Sequence, residues 1–175
     1  MKKLLFLFSA FLSIALSANP LVGNKFGSDS VQCVTNISLY REYVKQKNYD
    51  DALTPWRKAY ALCPKATKNI YIDGAKLYKH LISKNKGAVE LQKAYLDSLE
   101  TLYDNRIANF GKENYVLGLK GSDMMKYSFS DLDKAYTYLK QSVIGQQAKS
   151  KAGALFSYFK AAYKKYQANS FDKVQ

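Results

Sequence analysis

Apolar and polar residues follow one another along most of this chain with the period of an amphipathic α-helix. Between residues 33 and 168, leucine, alanine, tyrosine and phenylalanine recur every three or four positions, with lysines between them. No stretch shows the strict alternation of a half-buried strand. The pattern predicts an all-α protein with helices at about 36–46, 50–62, 69–83, 88–109, 114–127, 131–144 and 150–168.

Short polar breaks separate these predicted helices and contain residues that favour helix ends. Pro64 follows the second helix, and Gly87 and Gly111 lie between later helices. Because connections of a few residues join successive helices, each helix is expected to pack antiparallel to the next. The sequence therefore predicts a single domain of helical hairpins over residues 33–168.

Residues 48–66, NYDDALTPWRKAYALCPKA, place a large side chain between two small ones within one helix. Ala52 and Ala59 are the small residues, Trp56 is the large one, and Pro64 ends the helix. Paired helices approach closely where small side chains meet, so the two alanines are predicted at the crossing within a hairpin. Trp56 is predicted to fill the space between that hairpin and the next.

This stretch resembles the second half of a tetratricopeptide repeat, a helix–turn–helix unit of about 34 residues. Asn36 stands where the family prefers a large aromatic residue, and Tyr40 stands where it prefers glycine. The resemblance is looser after the first repeat. The segment YVLGLKGSDMMKY also resembles exported bacterial envelope proteins with divergent tetratricopeptide repeats. The residues that occupy signature positions are Leu39, Tyr43, Ala52, Trp56, Ala59, Pro64, Gly74, Ala135 and Leu139.

The resemblance implies a right-handed superhelix of stacked hairpins, with a concave groove lined by the first helix of each hairpin. In the family, ligands contact first-helix positions that face this groove. Here those positions fall at Arg41, Lys45, Tyr71, Tyr78, Lys79, Ser122 and Lys126. Such a groove is basic and aromatic, which suits an acidic segment of a protein partner.

The two cysteines, Cys33 and Cys63, are expected to form a disulfide. In a tetratricopeptide-like hairpin, Cys33 lies just before the first helix and Cys63 ends the second. Antiparallel packing of the two helices therefore brings the two cysteines together. An oxidising compartment would then favour the bond, and two buried free thiols are the alternative. No further cysteine accompanies them, so neither a metal site nor a cofactor is expected.

Residues 1–18, MKKLLFLFSAFLSIALSA, have the pattern of a secretory signal peptide. Two lysines precede an apolar stretch, residues 4–16, that is too short to span a bilayer comfortably. Cleavage is expected after Ser17 or Ala18, and an uncleaved anchor is the alternative. Residues 19–32 are predicted to form a flexible leader. We therefore expect export to the periplasm or cell envelope of a bacterium, as a soluble protein after cleavage.

The end of the chain allows two interpretations. The last predicted helix has an aromatic stripe on one face and is either a capping helix or the first helix of another hairpin. Residues 169–175, NSFDKVQ, resemble a turn and the start of a further helix. On the second interpretation, the sequence is the front portion of a longer repeat protein.

The composition is strongly basic, with 27 lysines and arginines against 14 acidic residues and a net charge of +13. Expected export argues against a nucleic-acid partner, and the lysines are scattered as they are on solvated helix faces. The charge favours attraction to an acidic protein partner or peripheral association with the anionic envelope. The oligomeric state does not follow from the sequence.

Motifs that carry catalytic chemistry are missing from the sequence. It has no phosphate-binding glycine loop, zinc-peptidase signature or nucleophile elbow, and the single histidine, His80, lies on a predicted helix surface. No catalytic residue is assigned, and an enzyme is not expected. We expect a protein–protein interaction scaffold or assembly factor of the bacterial envelope. The alternative is an electrostatic binder of envelope polyanions, either glycans or lipid headgroups.

Overall fold

The computed structural model describes residues 25–127 and 129–168, and these residues are all-α without a β-strand. The predicted signal peptide and the predicted start of a further helix at residues 169–175 lie outside the described residues. The helices are α1 (Ser30–Lys45), α2 (Tyr49–Leu62), α3 (Asn69–Lys84), α4 (Val89–Phe110), α5 (Glu113–Met124), α6 (Leu132–Gln146) and α7 (Ala152–Gln167), with a short 3-10 helix at Gln147–Lys149.

The helices pack as successive hairpins. α1 packs on α2, α3 on α4, and α5 on α6, while α7 packs on both helices of the third hairpin. Buried apolar side chains form a continuous core from α1 to α7. The predicted fold class, an all-α stack of helical hairpins, is confirmed, and the right-handed superhelix stays a prediction.

The first helix begins earlier than the sequence pattern predicts. α1 starts at Ser30 rather than near residue 36, so the end of the predicted flexible leader, residues 30–32, is helical. The Asp29 side chain accepts a hydrogen bond from the Gln32 backbone N–H at 2.9 Å and caps the helix. The first six residues of α1, SVQCVT, include three β-branched residues, whose modest helix propensity conceals this part of the helix in the sequence.

Trp56 joins the first hairpin to the second, as predicted. Its indole is 1 % exposed, and its N–H donates a hydrogen bond of 2.7 Å to the backbone carbonyl of Ile70 on α3. One turn further along α3, Gly74 leaves room for the ring, because a Cβ there would lie 2.4 Å from Trp56 Cζ2. Ala52 and Ala59 are fully buried beside it on α2.

Glycines in α5 allow the helices of the third hairpin to approach closely. A Cβ on Gly121 would lie 2.6 Å from Leu139 Cγ, and one on Gly118 would lie 2.5 Å from Ser142 Oγ. Leu139 thus meets its glycine within one hairpin, whereas Trp56 meets its glycine in the next hairpin. The two large side chains occupy corresponding sequence positions but make different contacts.

The predicted disulfide is confirmed. Cys33 in α1 and Cys63 directly after α2 are bonded, with their Cα atoms 6.1 Å apart. Both cysteines are buried, with exposures of 0 % and 2 %. The bond fixes the free ends of the first hairpin to each other, next to the point where the chain enters the second hairpin.

Candidate functional site: a basic groove between the second and third hairpins

A gap separates α3 from α5, the first helices of the second and third hairpins. Neighbouring first helices make direct contact elsewhere, α1 with α3 and α5 with α7, but the backbones of α3 and α5 do not. The second helix of the middle hairpin, α4, packs against both α3 and α5. It supplies Tyr103 and Arg106 to the walls of the gap.

Three adjoining cavities occupy this gap and continue toward α7. The central cavity has a volume of about 430 Å³. It shares Ile72, Arg106 and Tyr115 with a cavity of about 440 Å³ at one end. It shares Ser122 and Lys126 with a cavity of about 500 Å³ at the other end. We call the residues that line these three cavities the basic groove.

The groove has a strongly positive lining. Asp123 is the one carboxylate among the described residues that line it. The cationic lining residues are Lys68, Lys76, Lys79, Arg106, Lys112, Lys126, Lys151 and Lys160. Such an excess of positive charge in a concave surface attracts anionic ligands and raises their local concentration.

Asp123 is held by three side chains in the central cavity. The Tyr103 hydroxyl donates a hydrogen bond of 2.6 Å to Asp123 Oδ2, and Lys79 Nζ lies 3.2 Å from the same oxygen. Lys126 pairs with the other oxygen. Burial would raise the pKa of Asp123, but Lys79, Lys126 and the tyrosine hydrogen bond outweigh it and lower that pKa below its ordinary value. The carboxylate therefore stays charged.

Tyr103 remains protonated as the donor in this arrangement. Burial, and then the negative charge of Asp123, raise the pKa of its hydroxyl far above the ordinary value. The hydroxyl proton is used in the hydrogen bond to the Asp123 carboxylate. The Tyr103–Asp123 pair is thus a fixed structural link between α4 and α5 rather than a proton-transfer site.

Arg106 is the least compensated charge in the groove. Its side chain comes from α4, is 7 % exposed, and lines both the central cavity and its neighbour. Its guanidinium lies over the Tyr115 ring at 5.7 Å. Among the described residues, its guanidinium makes no hydrogen bond and has no carboxylate oxygen within 4.0 Å. Its donors are therefore available to a ligand.

Several rim lysines are also without a carboxylate partner. Lys76 pairs with Asp73 at 2.7 Å. By contrast, no described carboxylate lies within ion-pair distance of the rim lysines Lys68, Lys112, Lys151 and Lys160. These side chains can pair with an external anion without first breaking an internal ion pair.

The structure brings together three of the residues that the sequence assigned to a groove. Lys79 on α3 and Ser122 and Lys126 on α5 line the same central cavity. Arg41 and Lys45 are exposed on α1 and do not line the groove, and Lys45 forms a surface ion pair with Glu42 at 3.4 Å. The groove thus starts at the second hairpin rather than the first.

The prediction that Tyr71 and Tyr78 line the groove is wrong, because both face the core. Tyr71 is 1 % exposed, and its hydroxyl accepts a hydrogen bond of 2.7 Å from Asn109 on α4. Tyr78 packs edge-on against Trp56, with ring centroids 5.5 Å apart. The two tyrosines are seven residues apart and share the face of α3 that packs on α2 and α4.

Sequence reasoning missed the groove residues outside the first helices, Arg106 above all. A signal for it exists in α4, where Leu99, Leu102 and Arg106 follow one another at helical spacing. An arginine within an apolar stripe is a candidate for a buried functional charge. The sequence pattern did not predict Lys112 and Lys151 as groove residues, because they immediately precede α5 and α7 rather than lie within them.

Residues 25–127 and 129–168 offer little support for a metal site or a membrane-spanning helix. These residues contain no cluster of three or more histidine, cysteine, aspartate or glutamate side chains that could hold a metal ion. His80 contacts Asp50 at 3.2 Å on the outer surface. In the same residues, no helix is both long and apolar enough to cross a membrane.

Comparison of the chain with protein-family models, with curated proteins and with solved structures finds no significant match in any of the three.

Proposed function

We propose that this protein is a protein–protein interaction scaffold or assembly factor of the bacterial cell envelope. In this proposal the basic groove binds an acidic segment of a partner protein. The observation that carries the proposal is the lining of the groove, in which eight cationic side chains face a single carboxylate. Among the described residues, four rim lysines and Arg106 have no carboxylate partner that a ligand would have to displace.

We further propose that the chain is a divergent tetratricopeptide repeat protein whose hairpins form a right-handed superhelix. The fit of Trp56 against Gly74, the short loops and the gap lined by first helices support this assignment. Export to the envelope is supported by the signal-like pattern of residues 1–18 and by the Cys33–Cys63 disulfide, since disulfides persist in oxidising compartments.

Site-specific photo-crosslinking in the native cell tests the proposed function. A benzoylphenylalanine at Lys112 or Lys151 lies in the groove, and one at Lys58 on α2 is the control outside it. We expect the groove positions to yield crosslinks to one or a few discrete proteins and the control position to yield none of them. Identical crosslinks from groove and control, or no protein crosslinks from either groove position, would contradict the proposal.

A matched pair of charge variants completes this experiment. The first replaces the rim lysines Lys68, Lys112 and Lys151 by glutamate, with a crosslinker at Lys160 as the reporter. The second replaces three exposed lysines outside the groove, Lys58, Lys65 and Lys86, by glutamate, so its net charge is the same. Loss of the groove crosslinks in the first variant alone assigns the contact to the groove. Equal loss in both assigns it to overall charge.

A second candidate function is electrostatic binding of envelope polyanions, glycans or lipid headgroups. The spread of cations over three adjoining cavities favours it, because a polyanion can follow such a path. Ionic strength separates the two candidates. Polyanion binding should collapse as salt rises, since screening acts on exposed charges. A packed peptide segment should retain much of its affinity through apolar contacts with Ile72 and Tyr115.

A further inference from the structure

Arg106 is a buried cation for which the described chain supplies no anion. With an exposure of 7 % it has lost most of its contact with water, and burial of an uncompensated charge is unfavourable. The Tyr115 ring at 5.7 Å offsets part of this cost through a cation–π contact. An external anion would supply the compensation that is otherwise missing.

The nearby carboxylate, Asp123, cannot serve Arg106 as a partner. Its oxygens are already engaged by Lys79, Lys126 and the Tyr103 hydroxyl, and it lies beyond ion-pair distance from the guanidinium. These contacts tie Asp123 to Tyr103 on α4, Lys79 on α3 and Lys126 just after α5. The Arg106 guanidinium is thus left at the junction of the two cavities that it lines.

Apolar walls surround the guanidinium. Ile72 and Tyr115 line both cavities that meet at Arg106, and Ala75, Leu119 and Ala154 line the central one. The central volume of about 430 Å³ falls within the range of small-molecule sites, which combine apolar walls with a few polar groups that fix orientation. The site thus offers one buried cation without a described anionic partner, with apolar side chains beside it.

We propose that Arg106 anchors a carboxylate ligand whose apolar body fills the central cavity. The planar guanidinium donates two parallel hydrogen bonds to a carboxylate, a geometry that also gives specificity. This site goes beyond the proposed scaffold function, because a free acid can occupy it without any protein partner.

Two kinds of ligand could supply the carboxylate that binds Arg106. One is a free small carboxylic acid with an aromatic or aliphatic tail. The other is a glutamate or aspartate side chain flanked by apolar residues in a partner protein. Binding measurements on the purified full chain distinguish them, because each kind has its own probe.

Arginine side-chain NMR gives a direct readout, because the chain contains only three arginines, Arg41, Arg57 and Arg106. Arg41 and Arg57 are exposed on α1 and α2 and serve as internal controls. We expect the Arg106 Nε–Hε signal to shift saturably on titration with 3-phenylpropionate. The other two signals should stay in place, and the neutral 3-phenylpropionamide should cause no shift.

Substitution then tests the guanidinium geometry. Arg106→Lys keeps the charge but loses the paired donors, and we expect it to weaken 3-phenylpropionate binding roughly 10- to 100-fold, as for the loss of a charged hydrogen bond. Arg57→Lys should leave the affinity unchanged. If the Arg106 variant does not fold, the NMR titration of the unmodified protein still tests the proposal.

The remaining outcomes are equally decisive. If all three arginine signals shift in parallel, or if none shifts, the proposal is overturned. It is also overturned if inorganic phosphate or acetate binds as tightly as 3-phenylpropionate, because the apolar body then contributes nothing. Tighter binding of the acetylated, amidated peptide Leu-Glu-Leu than of the free acid supports the proposal and assigns the ligand to a partner protein. Tighter binding of the free acid supports it and assigns a small molecule.

Discussion

The indole of Trp56 on α2 lies directly against the backbone of Gly74 on α3. A Cβ on that glycine would lie 2.4 Å from Cζ2 of the indole and 2.9 Å from its nitrogen. The ring cannot move away easily, because its N–H is bonded to the Ile70 carbonyl at 2.7 Å and Tyr60 stacks on it with ring centroids 5.4 Å apart. This contact fixes the position of the second hairpin on the first.

Gly74→Ala should destabilise the protein by about 1–3 kcal/mol, because the new methyl group overpacks the interface between hairpins. Guanidinium chloride unfolding followed by tryptophan fluorescence measures the change, since Trp56 is the chain's single tryptophan. Gly153→Ala on α7 is the control, because a Cβ there has no heavy atom within 4 Å. The control should keep the stability of the wild type or gain up to about 1 kcal/mol in helix propensity. Equal unfolding midpoints for both variants would contradict this interpretation of the interface.

Much of this architecture is predictable from the sequence because it depends on local periodicity. The helical period and the proline and glycine breaks locate the helices, and the pattern of Ala52, Trp56 and Ala59 predicts which surfaces meet. The hairpin in turn predicts the Cys33–Cys63 pairing. These features involve residues close in sequence or joined by one short turn, so few alternatives compete.

The groove is harder to predict because its position depends on how α3 and α5 diverge. On α3, Tyr71 and Tyr78 lie on one face, whereas Ile72 and Lys79 lie about 100° further round the helix. An error of one residue therefore exchanges the core face for the groove face. The apolar residues Ile70, Gly74 and Leu77 mark the core face, and Tyr71 and Tyr78 follow that stripe rather than oppose it.

Loss of the disulfide should weaken the first hairpin. Cys33 and Cys63 are separated by 30 positions, and releasing a loop of this size costs about 3–4 kcal/mol in the chain-entropy description. The Cys33→Ser/Cys63→Ser variant should therefore unfold at a lower denaturant concentration than the oxidised wild type. Dithiothreitol should lower the midpoint of the wild type and leave that of the variant unchanged. A midpoint that does not respond to reductant in the wild type would refute a stabilising bond.

Lys120 is a buried lysine that links the second and third hairpins, although its nearest partner, Asp104, is 57 % exposed. The Lys120 side chain is 2 % exposed, Nζ lies 2.8 Å from Asp104 Oδ1 on α4, and the Tyr138 ring on α6 is 4.3 Å away. Lys120→Ala should cost about 2–4 kcal/mol, because it leaves a gap where a long side chain was buried and removes one of the two lysines beside the buried Glu100. Calorimetric or denaturant unfolding measures this loss.

Lys134 provides a matched control for Lys120, because both lysines approach Glu100. Lys134 Nζ lies 2.8 Å from Glu100 Oε2, but its side chain is 48 % exposed. Lys134→Ala removes a half-exposed stem and leaves Lys120 3.8 Å from Glu100, so it should cost less than Lys120→Ala. Similar losses for the two variants would mean that burial of the lysine side chain does not set the cost.

Asp123 should make the stability of the protein depend on acid pH. Its pKa is lowered in the folded state, so its contribution is complete above the ordinary aspartate value of 3.8 and is lost as pH falls through the lower folded value. Asp123→Asn removes the charge that pairs with Lys79 and Lys126 but keeps an acceptor for the Tyr103 hydroxyl. At neutral pH the variant should be less stable by roughly 1–3 kcal/mol, because charge-assisted contacts are lost while Lys79 and Lys126 remain partly exposed to water.

Urea unfolding at neutral pH and at several values below pH 4 tests this linkage. The difference between wild type and Asp123→Asn should shrink as the pH falls, because protonation of the wild-type carboxylate produces the same loss of charge. Asp97→Asn is the control, since the Asp97 carboxylate is exposed and has no hydrogen bond or ion pair with a described residue. A constant difference over the whole pH range would show that the aspartate acts through shape alone. The ion pairs across the groove would then contribute nothing to holding α3 and α5 together.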